Sequence, residues 1–148
     1  MVGINFWYPK ISKKQKKEIV LDALDKAKLI DEVRDKLGQN ALTLSTGQRQ
    51  RLALARALAL RPKVLICDEP TSHLDVLSCA RIEDFFEAAR RHITILIVTH
   101  SNAQAARISQ RTAYLTGDGS PPEIDDTDKI FTSPENESTQ DFISGRIG

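Results

Sequence analysis

The stretch from Val64 to Asp75 constrains the fold of this chain more than any other part of the sequence. It begins with four apolar residues, a run too short for a helix but long enough for a buried strand, and it continues into Asp68 and Glu69. Pro70 ends the element, so both carboxylates lie at the C-terminal end of the predicted strand. Because ligands bind at that edge of open parallel sheets, the two acids are placed for chemistry. The alternative is that the acids end the strand simply by reaching solvent.

A second apolar run, from Ile93 to Val98, predicts a partner strand that ends in Thr99 and His100. Between the two runs lies a helical pattern whose apolar residues are Ile82, Phe85, Phe86 and Ala89. A strand, helix, strand unit of this kind predicts parallel strands with a right-handed crossover. His100 then reaches the same sheet edge as Asp68 and Glu69. Two carboxylates and a histidine suit a magnesium ion, an attacking water and a phosphate oxygen.

Length, charge and cysteine content limit the classes of function. A chain of 148 residues with 41% hydrophobic content can bury a core, and its net charge of +1 argues against a broad nucleic-acid surface. Five lysines between Lys10 and Lys17 are interpreted as a solvated helix face. Cys67 and Cys79 make no disulfide framework and indicate a reducing, cytoplasmic compartment. No apolar run approaches the roughly 18 residues that span a bilayer, so we expect no direct membrane insertion.

Helical periodicity precedes the central stretch. Two short amphipathic helices are predicted between Lys13 and Leu37, with a break near residues 29–31 and a left-handed cap at Gly38. The pentapeptide Leu44 to Gln48 then opens an alanine- and leucine-rich helix. A serine and a glycine at a helix start offer a hydroxyl, backbone N–H groups and the positive end of the helix dipole, which together suit a phosphate. The alternative is an ordinary serine N-cap.

Weaker patterns follow His100. We predict a short helix over residues 102–109, a strand over 112–116, a turn-rich loop over 117–122 and short helical turns in the polar segment 126–148. The three histidines lack metal-ligand spacing, so no cluster of cysteine and histidine ligands is predicted.

Four motifs in this order resemble those of the ABC transporter ATPases. They are Leu44 to Gln48 as the signature motif, Val64 to Glu69 as the Walker B strand, Ser72 to Asp75 as the D-loop and His100 as the switch histidine. The resemblance implies an α/β fold, an incomplete P-loop NTPase core with parallel strands and flanking helices. Residues 1–60 would hold part of the helical subdomain with the signature motif and its helix. Residues 61–148 would form the C-terminal part of the ATPase core.

The same resemblance implies ATP and magnesium as ligands and assigns roles to single residues. Asp68 would bind magnesium through water, Glu69 would polarise the attacking water, and His100 would contact the γ-phosphate. Asp75 would help to join two subunits. The signature residues that would reach the ATP held by the opposite subunit are Ser45, Thr46, Gly47 and Gln48. The implied partner is therefore a second ATPase subunit in a head-to-tail dimer.

A narrower resemblance, to the ATP-binding subunits of phosphate importers, rests on the C-terminal segments Gln104 to Ser109, Lys129 to Phe131 and Asp141 to Gly148. It implies ATP hydrolysis coupled to import of inorganic phosphate, transmembrane permease subunits as partners, and a peripheral location on the inner face of the cell membrane. A polar amino-acid importer would share every nucleotide motif. A non-catalytic remnant that docks on an intact ATPase subunit is a further alternative. ATPases of chromosome maintenance are disfavoured because no sustained heptads occur.

Several features depart from the family pattern. No G-x-x-x-x-G-K-[ST] occurs, so the cradle for the β- and γ-phosphates is missing and the chain alone is expected to be inactive. Thr46 stands where glycine is usual, and His73 replaces a small D-loop residue. The loop from Gly117 to Pro122 replaces a tight turn, which puts the family's last hairpin in question. Without the phosphate-loop strand and its neighbours, we expect an exposed apolar sheet edge and self-association.

Overall fold

The computed structural model describes residues 2–146, with side chains from residue 4 onward. These residues form eight α-helices and four β-strands. The helices are α1 (Val2–Trp7), α2 (Lys13–Lys26), α3 (Ile30–Val33), α4 (Thr46–Leu58), α5 (Val76–Ala89), α6 (Asn102–Ile108), α7 (Thr127–Thr132) and α8 (Glu137–Ile143). The strands are β1 (Val64–Asp68), β2 (Thr94–Val98), β3 (Arg111–Tyr114) and β4 (Glu123–Asp126). The chain divides into two units, Met1–Val98 and Thr99–Gly148. The subdomain boundary expected near residue 60 stays a prediction.

Helix α2 has well-defined signals at both ends. Ser12 caps its N-terminus in a reciprocal capping box with Gln15. At its C-terminus Lys28 adopts a left-handed φ of 52°, and its N–H donates to the carbonyl of Asp25 at 2.8 Å. The N–H of Leu29 donates to the carbonyl of Leu24 at 2.9 Å, which completes a Schellman motif. The predicted break between two short helices is confirmed.

The helical core of the first unit forms where α2 packs against α3 and α4. Its buried members are Ile4, Ala23, Leu24, Ala27, Leu29, Ile30, Val33, Ala55 and Ala59. The lysine run lies outside this core, as predicted: Lys16 is half-buried and the other four lysines are exposed. Burial of the apolar stripes thus fixes the three helices around one another.

The predicted left-handed cap at Gly38 is wrong. Gly38 has no positive φ; the glycines of the described residues that have one are Gly117, Gly119 and Gly145. A 3₁₀ turn over Arg34–Lys36 continues α3, and the N–H of Gln39 donates to the carbonyl of Lys36 at 2.9 Å. Because this tighter turn already satisfies the end of the segment, no left-handed residue is needed there.

Strands β1 and β2 pair in parallel, with Val64 opposite Thr94 and Asp68 opposite Val98. Helix α5 connects them, as the sequence predicted, and it fully buries Ile82 and Phe85. The carboxyl ends of the two strands therefore lie at the same edge of the sheet.

The prediction of a buried strand is correct for only one face of β1. Leu65 and Cys67 are buried, whereas Val64 and Ile66 are 54% and 68% exposed. On β2, Leu96 and Val98 are 55% and 52% exposed, and the register places all four exposed residues on one face of the sheet. Within the described residues this sheet has two strands, and the apolar side chains of its second face are exposed to solvent. Cys67 and Cys79 are not joined in a disulfide, as expected.

The second unit is built on an antiparallel pair, β3 and β4, in which Arg111 lies opposite Asp126. This hairpin forms although the loop before β4 is turn-rich, with Gly117 and Gly119 in left-handed conformations. The predicted helix after His100 and the predicted helical turns of the tail are confirmed as α6, α7 and α8. Ile130 is fully buried, and the rings of Tyr114 and Phe142 stack with centroids 4.7 Å apart. Ile147 and Gly148, which end the predicted tail, lie outside the described residues.

Candidate functional site

The two acids of the central stretch lie at the carboxyl edge of the parallel sheet. Asp68 is the last residue of β1 and is exposed. Glu69 follows with a left-handed φ of 46°, which for a residue with a side chain costs on the order of 1–3 kcal/mol. Its N–H donates to the carbonyl of Val98 at 2.9 Å, and its carbonyl accepts from the N–H of Ser72 at 3.2 Å. The end of β2 and the turn at Ser72 therefore hold the backbone of Glu69 in this left-handed conformation.

The signature-like pentapeptide forms the start of α4. Ser45 is the N-cap, and its hydroxyl accepts from the N–H of Gln48 at 3.2 Å while its own N–H donates to Gln48 Oε1 at 3.0 Å. Thr46 lies exposed, and its hydroxyl accepts from Arg49 at 3.3 Å. An ordinary serine N-cap, the alternative to a phosphate site, is therefore present. A capped helix start still presents the positive end of its dipole and does not exclude an anion site.

The D-loop forms the start of α5. Asp75 is the N-cap, and its carboxylate accepts from the N–H of Ser78 at 2.9 Å and from the Ser78 hydroxyl at 2.7 Å. These hydrogen bonds lower the pKa of Asp75 from its usual value. His73, in the turn before it, has a left-handed φ of 61°. The next two residues are apolar and exposed, Val76 by 87% and Leu77 by 62%.

Gly47 brings the two helix starts into contact. It is buried, and a Cβ atom added there would lie 2.5 Å from Ser78 Oγ and 2.9 Å from Ser78 Cβ. A glycine at this position is therefore required for the close approach of α4 to α5. The structure thus joins the predicted signature residue Gly47 to Asp75 through Ser78.

A polar cluster centred on Glu32 also joins α4 to α5. Arg51 of α4, only 2% exposed, donates to both carboxylate oxygens of Glu32 at 2.7 and 2.9 Å. Arg81 of α5 donates to Glu32 Oε1 at 2.7 Å, and Gln48 donates to Oε2 at 3.0 Å. The hydrogen bonds from Arg51 lower the pKa of Glu32 to about 2 against the partial burial that opposes them. The sequence does not predict this cluster, because α4 carries three arginines and their spacing does not show which of them is buried.

His100 belongs to the second unit. It is exposed and lies two residues after the end of β2. Ser101, the N-cap of α6, donates from its N–H to the hydroxyl of Thr99 at 3.1 Å and accepts from the N–H of Gln104 at 3.2 Å. These local hydrogen bonds hold the backbone that follows His100, and the role of His100 at the nucleotide stays a prediction.

Among the described residues, no three histidine, cysteine, aspartate or glutamate side chains converge on a metal site. None of the described helices combines the length and the apolar character that crossing a bilayer requires.

Residues 4–72, which include the signature-like and Walker B-like segments, match the family model described as ABC transporter. Residues 4–72 carry part of an ABC transporter domain. The match extends from α1 through the two acids at the sheet edge, so it covers the helical region and the start of the D-loop.

Curated relatives of this ABC transporter domain extend the match. The phosphate import ATP-binding protein PstB of Oceanobacillus iheyensis is 50% identical over 137 residues, which cover 93% of this chain and 49% of that protein. The phosphate import ATP-binding protein PstB 2 of Shouchella clausii is 45% identical over 138 residues, 93% of this chain and 51% of that protein. The chain therefore spans about half the length of these relatives.

Solved structures confirm the incomplete α/β fold. An ABC transporter assigned to the metal-chelate type, in an inward-facing conformation, aligns with a TM-score of 0.69 at 28% identity, covering 83% of this chain and 48% of that one. A dimeric ATP-binding cassette in a post-hydrolysis state, bound to ADP and Pi, aligns with a TM-score of 0.66 at 28% identity, covering 79% of this chain and 49% of that one. In both alignments this chain covers under half of the solved structure's chain, as expected for part of an ATPase core.

Proposed function

We propose that this chain supplies the signature motif, the Walker B acids and the D-loop of an ATPase that drives import of inorganic phosphate. The observation that carries the proposal is the 45–50% identity to two phosphate import ATP-binding proteins over 93% of the chain. The geometry supports it, because Asp68 and Glu69 lie at the carboxyl edge of parallel strands, where nucleotides bind in open α/β sheets.

In this proposal Glu69 accepts a proton from the attacking water. The water oxygen bonds to the γ-phosphorus as the bond to the bridging oxygen breaks, which yields ADP and phosphate. The backbone at Glu69 supports this role, since hydrogen bonds with Val98 and Ser72 hold that residue at the carboxyl edge of the sheet. His100 is assigned a hydrogen bond to the γ-phosphate.

Magnesium fits the donor chemistry of Asp68, an exposed carboxylate at the end of β1. Protein-bound magnesium keeps several waters and takes one or two carboxylates together with substrate phosphates, so one aspartate is sufficient from the protein side. The ion would neutralise charge on the phosphates when bound.

The phosphate loop has to come from sequence outside residues 1–148, since no G-x-x-x-x-G-K-[ST] occurs within them. The signature residues Ser45, Thr46, Gly47 and Gln48 would then contact the ATP of an opposite subunit, with Asp75 at the interface between the two. A head-to-tail ATPase dimer, transmembrane permease subunits and a position on the inner face of the membrane complete the proposal. The dimeric ATP-binding cassette bound to ADP and Pi supports the pairing.

Complementation tests this function. The chain is mixed with the part of the O. iheyensis relative that it does not match, and magnesium-dependent ATP hydrolysis is measured. We expect hydrolysis that neither polypeptide shows alone, and we expect Glu69→Gln to reduce it by about 100-fold or more. Glu87→Gln, an exposed position on α5, is the control and should leave the rate unchanged. Hydrolysis that persists in Glu69→Gln would contradict the assignment of the base.

A further inference from the structure

We infer that Glu32 is a positioning residue that locks the signature helix α4 to the D-loop helix α5; this inference rests on the proposed function. Its carboxylate accepts hydrogen bonds from both helices and belongs to neither, since Glu32 lies on α3. A single side chain therefore links three helices through charge-assisted hydrogen bonds, the strong class of such bonds.

The link to α4 is the firmer one. Arg51 bonds Glu32 through both terminal nitrogens, and Arg51 Nη1 also donates to the carbonyl of Lys28 at 2.5 Å. Arg51 is almost fully buried, so water does not compete for these bonds. The guanidinium thus fixes α4 to the end of α2 and to α3 at once.

A second path runs from Glu32 into the signature motif itself. Gln48 uses both ends of its side-chain amide: Nε2 donates to Glu32 Oε2 at 3.0 Å, and Oε1 accepts from the N–H of Ser45 at 3.0 Å. Any shift of the Glu32 carboxylate therefore reaches Ser45 through one intervening side chain.

The link to α5 has two points of contact. Arg81 donates to Glu32 Oε1 at 2.7 Å, and three residues earlier on the same helix Ser78 packs against Gly47. One point of contact would allow α5 to pivot on α4. Two points on one helix, roughly 4.5 Å apart along its axis, prevent that rotation. Ser78 also holds Asp75, so the D-loop cap is part of the same assembly.

The consequence concerns the two groups that would reach across to an opposite subunit. Ser45 lies at the start of α4 and Asp75 at the start of α5. Because the N-terminal ends of both helices are linked to Glu32, Ser45 and Asp75 should move together, and the distance between them should stay the same. Nucleotide binding at the signature would then be transmitted to the D-loop without an intervening flexible joint.

Arg81→Ala tests the inference in the full chain. Arg81 is 40% exposed and its loss leaves the Arg51–Glu32 pair intact, so the variant is expected to fold. We measure backbone hydrogen exchange over the first turns of α4 and α5. Loss of one charge-assisted hydrogen bond should speed exchange at both turns, and at α4 by about tenfold, although the substituted residue lies on α5. Arg81→Lys keeps one donor and should restore part of the protection.

Arg90→Ala is the matched control. Arg90 lies on the same helix, is 38% exposed and pairs with Glu87 within α5. It should leave exchange at α4 unchanged. Faster exchange at α5 alone in Arg81→Ala, with α4 as in the unsubstituted chain, would overturn the inference.

The complemented assembly gives the second readout. There Arg81→Ala should lower kcat about tenfold and keep KM for ATP within twofold, because the signature contact forms only in the closed pair. Faster hydrogen exchange accompanied by a comparable rise in KM for ATP would indicate general unfolding and would overturn the positioning role. If the unsubstituted assembly hydrolyses no ATP, the proposed function fails, and hydrogen exchange in the chain still decides whether Glu32 couples the helices.

Discussion

Gly47 and Ser78 touch so closely that position 47 has no room for a side chain: a Cβ atom would lie 2.5 Å from the serine hydroxyl oxygen. The glycine of the signature-like motif therefore has a packing role in addition to any contact with phosphate. It allows the starts of α4 and α5 to meet, and this contact places the D-loop cap Asp75 beside the signature motif.

Gly47→Ala should destabilise the chain by about 1–3 kcal/mol, because a methyl group forces the two helices apart. The urea midpoint measures the effect. Gly47→Ala combined with Ser78→Gly should lose less than the sum of the two single variants, since the second change removes the atoms that clash. Gly38→Ala is the control: nothing lies within 4 Å of that site, so its change should stay within about 0.5 kcal/mol. Equal losses at positions 38 and 47 would contradict the packing role.

Glu32 predicts how stability depends on pH. Its pKa of about 2 in the folded chain lies below the usual 4.5, so the folded state favours the carboxylate. The resulting stabilisation is fully present above pH 4.5 and is lost as the pH falls from 4.5 towards 2. The loss should amount to about 3 kcal/mol at most. Urea unfolding at a series of pH values measures it.

Glu32→Gln should flatten that part of the pH profile, because a glutamine does not titrate. Asp31→Asn provides the comparison, since Asp31 is 91% exposed and meets Arg34 only at 3.6 Å. Asp31→Asn should still lose stability as the pH falls from 4.5 towards 2. A profile that stays steep in Glu32→Gln would assign the effect to other carboxylates.

Most of the helices and strands follow from local sequence. The spacing of Ser45 and Gln48 encodes a capping box, and the break after α2 follows from the change in apolar periodicity near Leu29. The run from Val64 to Asp68 encodes a strand whether one face or two is covered. How many faces are buried depends on which strands and helices lie beside it, and that information is not local. The expectation of a buried strand was therefore right for Leu65 and wrong for Ile66.

The Glu32 cluster was beyond a local reading for the same reason. Glu32 meets Gln48, Arg51 and Arg81, which lie 16, 19 and 49 residues away. The sequence offers many acids and arginines, and periodicity does not select the pairs that meet. Gly38 shows the opposite error, since its residue type suggested a left-handed cap that a 3₁₀ turn made unnecessary.

Lys28→Gly should stabilise the chain by up to about 1 kcal/mol. Lys28 is exposed and holds the left-handed position of the Schellman motif at the end of α2, where glycine avoids the steric cost of a side chain. Thermal unfolding should show a rise in Tm. Lys26→Gly, at the last residue of the same helix, should lower Tm instead, because it loses helix propensity and the 2.7 Å ion pair with Asp22. A lower Tm in Lys28→Gly would show that the lysine side chain outweighs its backbone strain.

The apolar face of the β1–β2 sheet should drive self-association. Val64, Ile66, Leu96 and Val98 lie exposed on that face, and the sheet has no third strand among the described residues. Sedimentation velocity of the chain should show species heavier than 16.5 kDa whose fraction rises with concentration. Ile66→Lys should weaken this association about tenfold or more, because burying an isoleucine contributes roughly 1.5–3 kcal/mol.

Leu42→Lys provides the matched control for that experiment. Leu42 is 77% exposed, but it lies in a 3₁₀ turn of the helical region and not on the sheet. Its substitution should leave the association unchanged if the sheet face is the contact. A chain that sediments as a monomer at every concentration would contradict the prediction. Equal weakening by the two lysine variants would indicate nonspecific association through exposed apolar residues, since the sheet face would then have no special part in it.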